Sequence, residues 1–90
     1  MKRIIITVIG QDKPGIIAKV TKVIADCDVN ILDINQTILQ DIFTMVMLCD
    51  ISEFNCDFDI FQQKMDDVAR EIAMKITAQK EEIFTYMHRI

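Results

Sequence analysis

Hydrophobic and polar positions along the chain follow two different periods, which predict four strands and two long helices. Residues 3–9 and 43–51 are apolar at odd and even positions alike, the pattern of central strands that are covered on both faces. Residues 31–38 and 74–79 alternate between apolar and polar side chains. This alternation predicts two edge strands, each with one exposed face.

Between the strands, apolar side chains recur every three or four residues, as they do on the buried face of a helix. The first helix is predicted from about Pro14 to Cys27. Asp57 is the predicted N-cap of the second helix, and a short terminal helix is predicted over residues 80–90. The apolar positions of the second helix are Phe58, Phe61, Met65, Val68 and Ile72.

The predicted order is βαββαβ, followed by the terminal helix. Two right-handed crossovers then give an antiparallel sheet of order 4-1-3-2 with both helices on one face, which is the ferredoxin-like α+β sandwich. Ninety residues are enough for one domain. We therefore expect a single domain over 1–90, with a βαββαβ core at 1–79 and a helical extension at 80–90.

The sheet face without helices is the second feature that the pattern predicts. The apolar residues of strands one and three that point away from the helices lie on this open face, and only Ile83, Met87 and Ile90 of the terminal helix or another chain can cover them. A homo-oligomer, most simply a dimer, follows from this expectation. The open face is bordered by polar side chains of the edge strands: Asp33, Asn35, Thr37, Lys75, Thr77 and Gln79.

Charge and cysteine spacing argue against several classes of function. The net charge of −4 disfavours nucleic-acid binding. Cys27, Cys49 and Cys56 lack the spacing of a zinc site or a disulfide framework, so reduced thiols are expected. No apolar run has the length of a membrane span, and the protein is predicted to be cytoplasmic, without membrane contact.

No catalytic centre can be assembled from the sequence. The single histidine, His88, lies on the terminal helix, and the single serine, Ser52, follows strand three. Cys56, Asp57 and Asp59 lie close enough together to ligate a metal, but an N-cap role explains Asp57 more simply. We therefore predict no enzyme activity, no catalytic residue, no metal and no cofactor.

The loop before the first helix is the best candidate for a binding site. Lys13 precedes a proline, so it is the predicted cap position and Pro14 the first helical residue. The N–H groups of Gly15 and Ile16 then lack partners and suit a carboxylate, while Asp12 suits an ammonium group. In the alternative interpretation, the Asp12 carboxylate itself accepts hydrogen bonds from those N–H groups, and Gly15 is present only for packing of the helix on the sheet.

The same loop carries a family resemblance. The segment GQDKPGIIAKVTKVIAD, followed by Val29, Asn30 and Ile31, resembles the ACT domain, a small amino-acid-sensing regulatory module. The stretches ITVIGQDKPGI, DINQTILQDIFTMVMLCDI and EEIFTYMHRI resemble, more narrowly, the stand-alone single-ACT proteins of bacteria and archaea. Those proteins are relatives of the glycine cleavage repressor type.

The resemblance implies a set of ligand-binding residues and a paired arrangement of domains. Asp12 stands where some amino-acid-binding members have Asn, and Gly10 where some have a ligand-contacting side chain. Asn30 either contacts ligand from a paired domain or forms a left-handed residue after the first helix. The implied ligand-binding set is Gly10, Gln11, Asp12, Lys13, Pro14, Gly15, Ile16 and Asn30.

Two functions are therefore expected in competition. In the first, the protein is a regulatory module that binds an amino acid or a similar small zwitterion across a homodimer boundary. In the second, it is an adaptor that binds no ligand and acts in trans on a partner enzyme or regulator. Neither function involves nucleic acid or a membrane.

Overall fold

The computed structural model describes residues 2–82, which form four strands and two helices in the order βαββαβ. This order confirms the prediction. No helix within the described residues is long and apolar enough to cross a membrane. The elements are β1 (Arg3–Gln11), α1 (Ile16–Asp26), β2 (Asn30–Leu39), β3 (Ile42–Asp50), α2 (Phe58–Ile72) and β4 (Lys75–Lys80).

All four strands join one antiparallel sheet of order β2-β3-β1-β4. The predicted central strands β1 and β3 occupy the middle of the sheet, and β2 and β4 are its edges. The ferredoxin-like fold is thus confirmed. The apolar character of β1 and β3 at both parities agrees with their central position, where each strand has a neighbour at both edges.

The core lies between the sheet and the two helices. Phe61 of α2 is fully buried and packs edge-on against Phe54, with ring centroids 5.4 Å apart. Each such buried side chain contributes about 1.5–3 kcal/mol relative to an exposed one. The strands β1 and β3 supply Ile4, Ile6, Val8, Phe43, Met45, Met47 and Cys49, and the helices supply Ile16, Val20, Ile24, Phe61, Met65, Val68 and Ile72.

The first strand is two residues longer than predicted. Gly10 and Gln11, which the sequence placed in the turn, continue β1 and pair with Phe43 and Ile42. Close packing favours glycine at position 10, since a Cβ atom there would lie 2.4 Å from the sulfur of Met74 and would force that side chain to move. Gly10 therefore marks a tight contact with Met74 and not, as the sequence predicted, the start of a turn.

The edge strand β2 contains a bulge that changes the face of its first residues. Ile31 pairs with Cys49 and packs against the core, whereas Asp33 pairs with Leu48 on the open face. The prediction that Ile31 shares a face with Asp33 is therefore wrong. The register shifts between these two residues, which leaves Leu32 outside the pairing, and such an extra residue reverses the alternation.

The register of the central strands places an apolar row on the open face, as predicted. Ile5 lies opposite Leu48, and Thr7 lies opposite Val46. Ile9 and Val46 are 41% and 36% exposed, respectively. The predicted polar border is also present, because Lys75, Thr77 and Gln79 of β4 pair with Ile9, Thr7 and Ile5.

The beginning of the predicted terminal helix is the last part of the chain that is described. Lys80 is the final residue of β4, and Glu81 and Glu82 have helical backbone. The Arg3 guanidinium donates to the Glu81 carboxylate at 2.6 Å, which ties this point to the start of β1. The rest of the predicted helix, residues 83–90, lies outside the described residues.

Candidate functional site

The candidate loop, residues 12–15, connects β1 to α1 at one end of the sheet. Its first residue is anchored, since the Asp12 N–H donates to the carbonyl of Asp41 at 2.8 Å. Asp41 belongs to the turn between β2 and β3, where Gln40 adopts a left-handed conformation with φ 57°. A hydrogen bond to a neighbouring turn, which lies 29 residues away in the sequence, therefore holds the start of the loop in place.

The helix begins later than predicted. Gly15 is the N-cap of α1, with φ 86° and ψ 0°, and Ile16 is the first helical residue. The assignment of Lys13 as cap and Pro14 as first helical residue is wrong, because the left-handed turn at Gly15 separates Pro14 from the helix. The first intrahelical bond runs from Lys19 N–H to the Gly15 carbonyl at 3.1 Å.

This later start moves the free donors into the first turn of α1. The N–H groups of Ile16, Ile17 and Ala18 have no carbonyl partner within the helix, as is general for helix N-termini. No side chain caps Gly15, and the first turn contains no acidic residue. The positive end of the helix dipole, equivalent to about half an elementary charge, therefore faces the loop without local compensation.

Asp12 does not perform the capping role that the alternative interpretation assigned to it. Among the described residues, no hydrogen bond joins its carboxylate to the first turn of α1. Its side chain is exposed, as are those of Gln11 and Pro14, whereas Lys13 is half-buried. The loop thus carries an exposed carboxylate at Asp12, three residues before Gly15, and ends at a helix start whose N–H groups are uncapped. A carboxylate and free N–H donors in one loop suit the two charges of a zwitterion.

Three residues of the predicted set, Gly10, Gly15 and Ile16, can contribute only backbone atoms. The side chain of Ile16 is 2% exposed and belongs to the core. Gly10 lies within β1 and faces Met74.

Asn30 lies at the other end of the sheet from the loop. It is the first residue of β2 and pairs with Asp50, which in turn pairs with Arg3 at the start of β1. The loop follows Gln11 at the end of the same strand, eight residues later, which corresponds to about 26 Å of strand. One chain therefore does not bring Asn30 and the loop together.

The left-handed residue after α1 is Asp28, with φ 56°. Asn30 is part of a strand, so the alternative in which Asn30 forms that turn is wrong.

The helix-facing side of β2 is more exposed than the sequence predicted. Ile34 and Ile38, which share the parity of core residues, are 45% and 55% exposed. Leu32 at the bulge adds a further apolar side chain that is 40% exposed. The helices therefore leave this edge of the sheet uncovered, and we refer to Leu32, Ile34 and Ile38 as the β2 edge patch.

The other candidate polar side chains, Asp57 and Ser52, lie at structural positions. Asp57 is the N-cap of α2, as predicted, although its carboxylate makes no capping hydrogen bond. Ser52 donates from N–H at 2.9 Å and from Oγ at 2.6 Å to Asp50, which lowers the pKa of that carboxyl. Residues 2–82 contain no group of three or more potential metal ligands. His88 lies outside the described part of the chain.

Comparison with known proteins identifies the family. Residues 2–79 match the family model of the ACT domain. The chain belongs to the ACT domain family. A UPF0237 protein from Methanococcus maripaludis is 52% identical over 90 residues, which span the whole of both chains. A UPF0237 protein from Listeria innocua is 42% identical over 88 residues, covering 98% of this chain and 99% of the relative.

Solved structures share the fold over most of the chain. An ACT domain protein from Streptococcus pneumoniae is 37% identical, with a TM-score of 0.79 over 92% of this chain and 93% of that chain. A putative glycine cleavage system transcriptional repressor is 20% identical and shares the fold, with a TM-score of 0.73 over 88% of this chain and 45% of its own. The resemblance to the ACT domain seen in the sequence is confirmed.

Proposed function

We propose that this ACT domain senses a free amino acid, which binds at the loop between β1 and α1 across a homodimer boundary. The observation that carries the proposal is the uncapped start of α1, which follows a loop with an exposed carboxylate at Asp12. In this arrangement the ligand carboxylate accepts from the N–H groups of Ile16 and Ile17, and its ammonium group pairs with Asp12. The donors are therefore the N–H groups of Ile16 and Ile17, one residue later in the chain than the predicted pair, Gly15 and Ile16.

Space at the helix start supports this mode of binding. A Cβ atom built on Gly15 meets nothing within 4 Å, so a ligand can approach the backbone there. The helix dipole attracts the carboxylate, and the first turn of α1 has no acid that would oppose it. Lys13, half-buried in the same loop, adds a positive charge nearby.

A dimer through the outer edge of β2 would complete the site. Antiparallel pairing of β2 with the β2 of a second copy places Asn30 of that copy near Leu39. Leu39 pairs with Ile42, which pairs with Gln11 at the entrance to the loop. The pairing therefore carries a second Asn30 to the loop end of the sheet, and it covers the apolar β2 edge patch.

A thermal-shift screen of the twenty amino acids at millimolar concentration tests the proposal. At a hundredfold excess over the dissociation constant, a ligand stabilises the fold by about 2.7 kcal/mol, which corresponds to roughly 10–20 °C in a domain of this size. Asp12→Ala and Gly15→Leu should lose the response. Asp59→Ala, which removes an exposed carboxylate from α2, is the matched control and should keep it.

The absence of stabilisation by every amino acid, in a sample that is folded, would contradict amino-acid sensing. The site of dimerisation is tested separately by Ile38→Lys in the β2 edge patch and Val46→Lys on the open face. Sedimentation should show dissociation for Ile38→Lys alone. Dissociation for Val46→Lys alone would instead assign the boundary to the open face.

The open face favours one second candidate, the adaptor that binds no ligand. Ile9 and Val46 expose apolar surface in the centre of the sheet, where a partner enzyme or regulator could dock. An adaptor should bind its partner equally well after Gly15→Leu and lose it after Val46→Lys. Purification from the native host that recovers only the homo-oligomer would argue against this candidate.

A further inference from the structure

The end of the sheet opposite the candidate loop brings together two thiols from distant parts of the chain. Cys27 is the C-cap residue of α1, and Cys56 lies between β3 and α2. Both are free thiols, and their Sγ atoms are 2.9 Å apart. A disulfide bond has an S–S length of about 2.04 Å. The two sulfur atoms therefore need to approach by only about 0.9 Å to form one.

Asn55 holds this contact in place with three hydrogen bonds to the end of α1. Its N–H donates to the carbonyl of Cys27 at 3.2 Å. Its Nδ2 donates to the carbonyl of Asp26 at 3.0 Å and to the carboxylate of Asp28 at 2.8 Å. Because Asn55 directly precedes Cys56, these bonds restrain the Cys56 backbone beside Cys27.

The two thiols differ in accessibility. Cys27 is fully buried, whereas Cys56 is half-buried and lines a cavity of about 770 Å³ together with Phe54 and Phe58. Burial, reinforced by the neighbouring Cys56 thiol, raises the pKa of Cys27 to about 11. A small reagent therefore meets Cys56 first, and Cys27 is placed to attack in a second step.

We propose that Cys27 and Cys56 are a site of reversible oxidation, at which exchange with a low-molecular-weight disulfide forms an intramolecular disulfide bond. In the first step the Cys56 thiolate attacks one sulfur of the small disulfide and releases one small thiolate. The Cys27 thiol then attacks the Cys56 sulfur and gives its proton to the departing small thiolate, which leaves as the second small thiol. The protein loses two protons and two electrons, and the small disulfide is reduced to two thiols.

The bond joins two segments that non-covalent contacts alone hold in the reduced protein. It closes a loop from residue 27 to residue 56 and fixes the segment before α2 to the end of α1, just ahead of Asn30. Such a closure restricts the unfolded chain and stabilises the oxidised form. The inference depends on these contacts alone and stands apart from the proposed amino-acid site.

Oxidised glutathione, added to the full chain, is the test reagent. We expect the intact mass to fall by two hydrogen atoms and the titratable thiols under denaturing conditions to fall from three to one. Peptide mapping should join Cys27 to Cys56. The melting temperature should rise by about 10 °C or more, and dithiothreitol should reverse every change.

Three variants complete the test. Cys49→Ala, in which the remaining buried thiol is removed, should still form the bond, whereas Cys56→Ala should not. Asn55→Ala should slow bond formation several-fold, because it releases Cys56 from the end of α1. The proposal is overturned if wild-type protein keeps three thiols, if it stops at a stable glutathione adduct, or if mapping finds Cys49 or a second chain in the bond.

Discussion

Replacement of Gly10 by alanine tests whether this glycine is dictated by core packing. The added Cβ atom would lie 2.4 Å from the Met74 sulfur and 3.4 Å from the Met74 Cα. Favourable contacts between heavy atoms begin near 3.5 Å, so the sulfur has to move by about 1 Å or more. Met74 is only 6% exposed, and the surrounding core leaves little room for that movement.

Overpacking of this kind costs about 1–3 kcal/mol. In a domain of this size each kcal/mol lowers the melting temperature by about 4–8 °C, so Gly10→Ala should lower it by about 4–20 °C. Urea unfolding followed by circular dichroism, at one fixed protein concentration, gives the free energy of unfolding directly.

The double variant Gly10→Ala/Met74→Ala separates crowding from a general intolerance of Gly10. Met74→Ala alone should cost about 2–5 kcal/mol, because it leaves a cavity. The new methyl group then occupies part of that cavity, so the double variant should be more stable than the sum of the single changes by about 1–3 kcal/mol. Additive effects, or an unchanged melting temperature for Gly10→Ala, would refute the packing argument.

Three further predictions concern other positions. Burial raises the pKa of Cys49 from 9.0 to about 11. The stability that the neutral thiol contributes below pH 9 should therefore be lost as the pH rises to 11, by about 2–3 kcal/mol. In urea unfolding at alkaline pH, Cys49→Ala should flatten this decline. Gly15→Ala should cost about 1–2 kcal/mol because of φ 86°, and Gly15→Asn less; equal losses in thermal unfolding would contradict a purely conformational cause. The Ser52 hydrogen bonds lower the pKa of Asp50, so Ser52→Ala should raise that pKa when it is followed by NMR. The variant should also lose less stability on acidification than the wild-type protein does. An unchanged pKa of Asp50 would contradict this prediction.

Local periodicity was sufficient to predict the elements and their order. The unbroken apolar runs of β1 and β3 and the alternation in β4 distinguish central strands from an edge strand. The apolar stripe of α2 from Phe61 to Ile72 was also predictable, since it repeats over about three turns. These patterns are properties of neighbouring residues, so no long-range information was needed.

The candidate site was predicted only in outline. The sequence located the loop before α1, but the structure moved the helix start to Gly15 through a left-handed backbone that no periodicity reports. A proline at the start of an apolar helical stripe usually marks the first helical residue, and here that rule misplaced the cap. The hydrogen bond between Asp12 and Asp41 joins residues 29 positions apart, and local periodicity does not predict such a contact.

The sequence by itself determined the fold class and the central and edge strands, because these depend on hydrophobic burial, which local spacing reports. The polar and turn residues before α1 indicated the region of the candidate site. The tertiary structure alone decided which distant groups meet. It separated Asn30 from the loop by the length of a strand, exposed the apolar side of β2, and placed Cys27 beside Cys56. Those outcomes depend on how the helices pack on the sheet and which loops contact each other. The local pattern of hydrophobic and polar residues does not determine either.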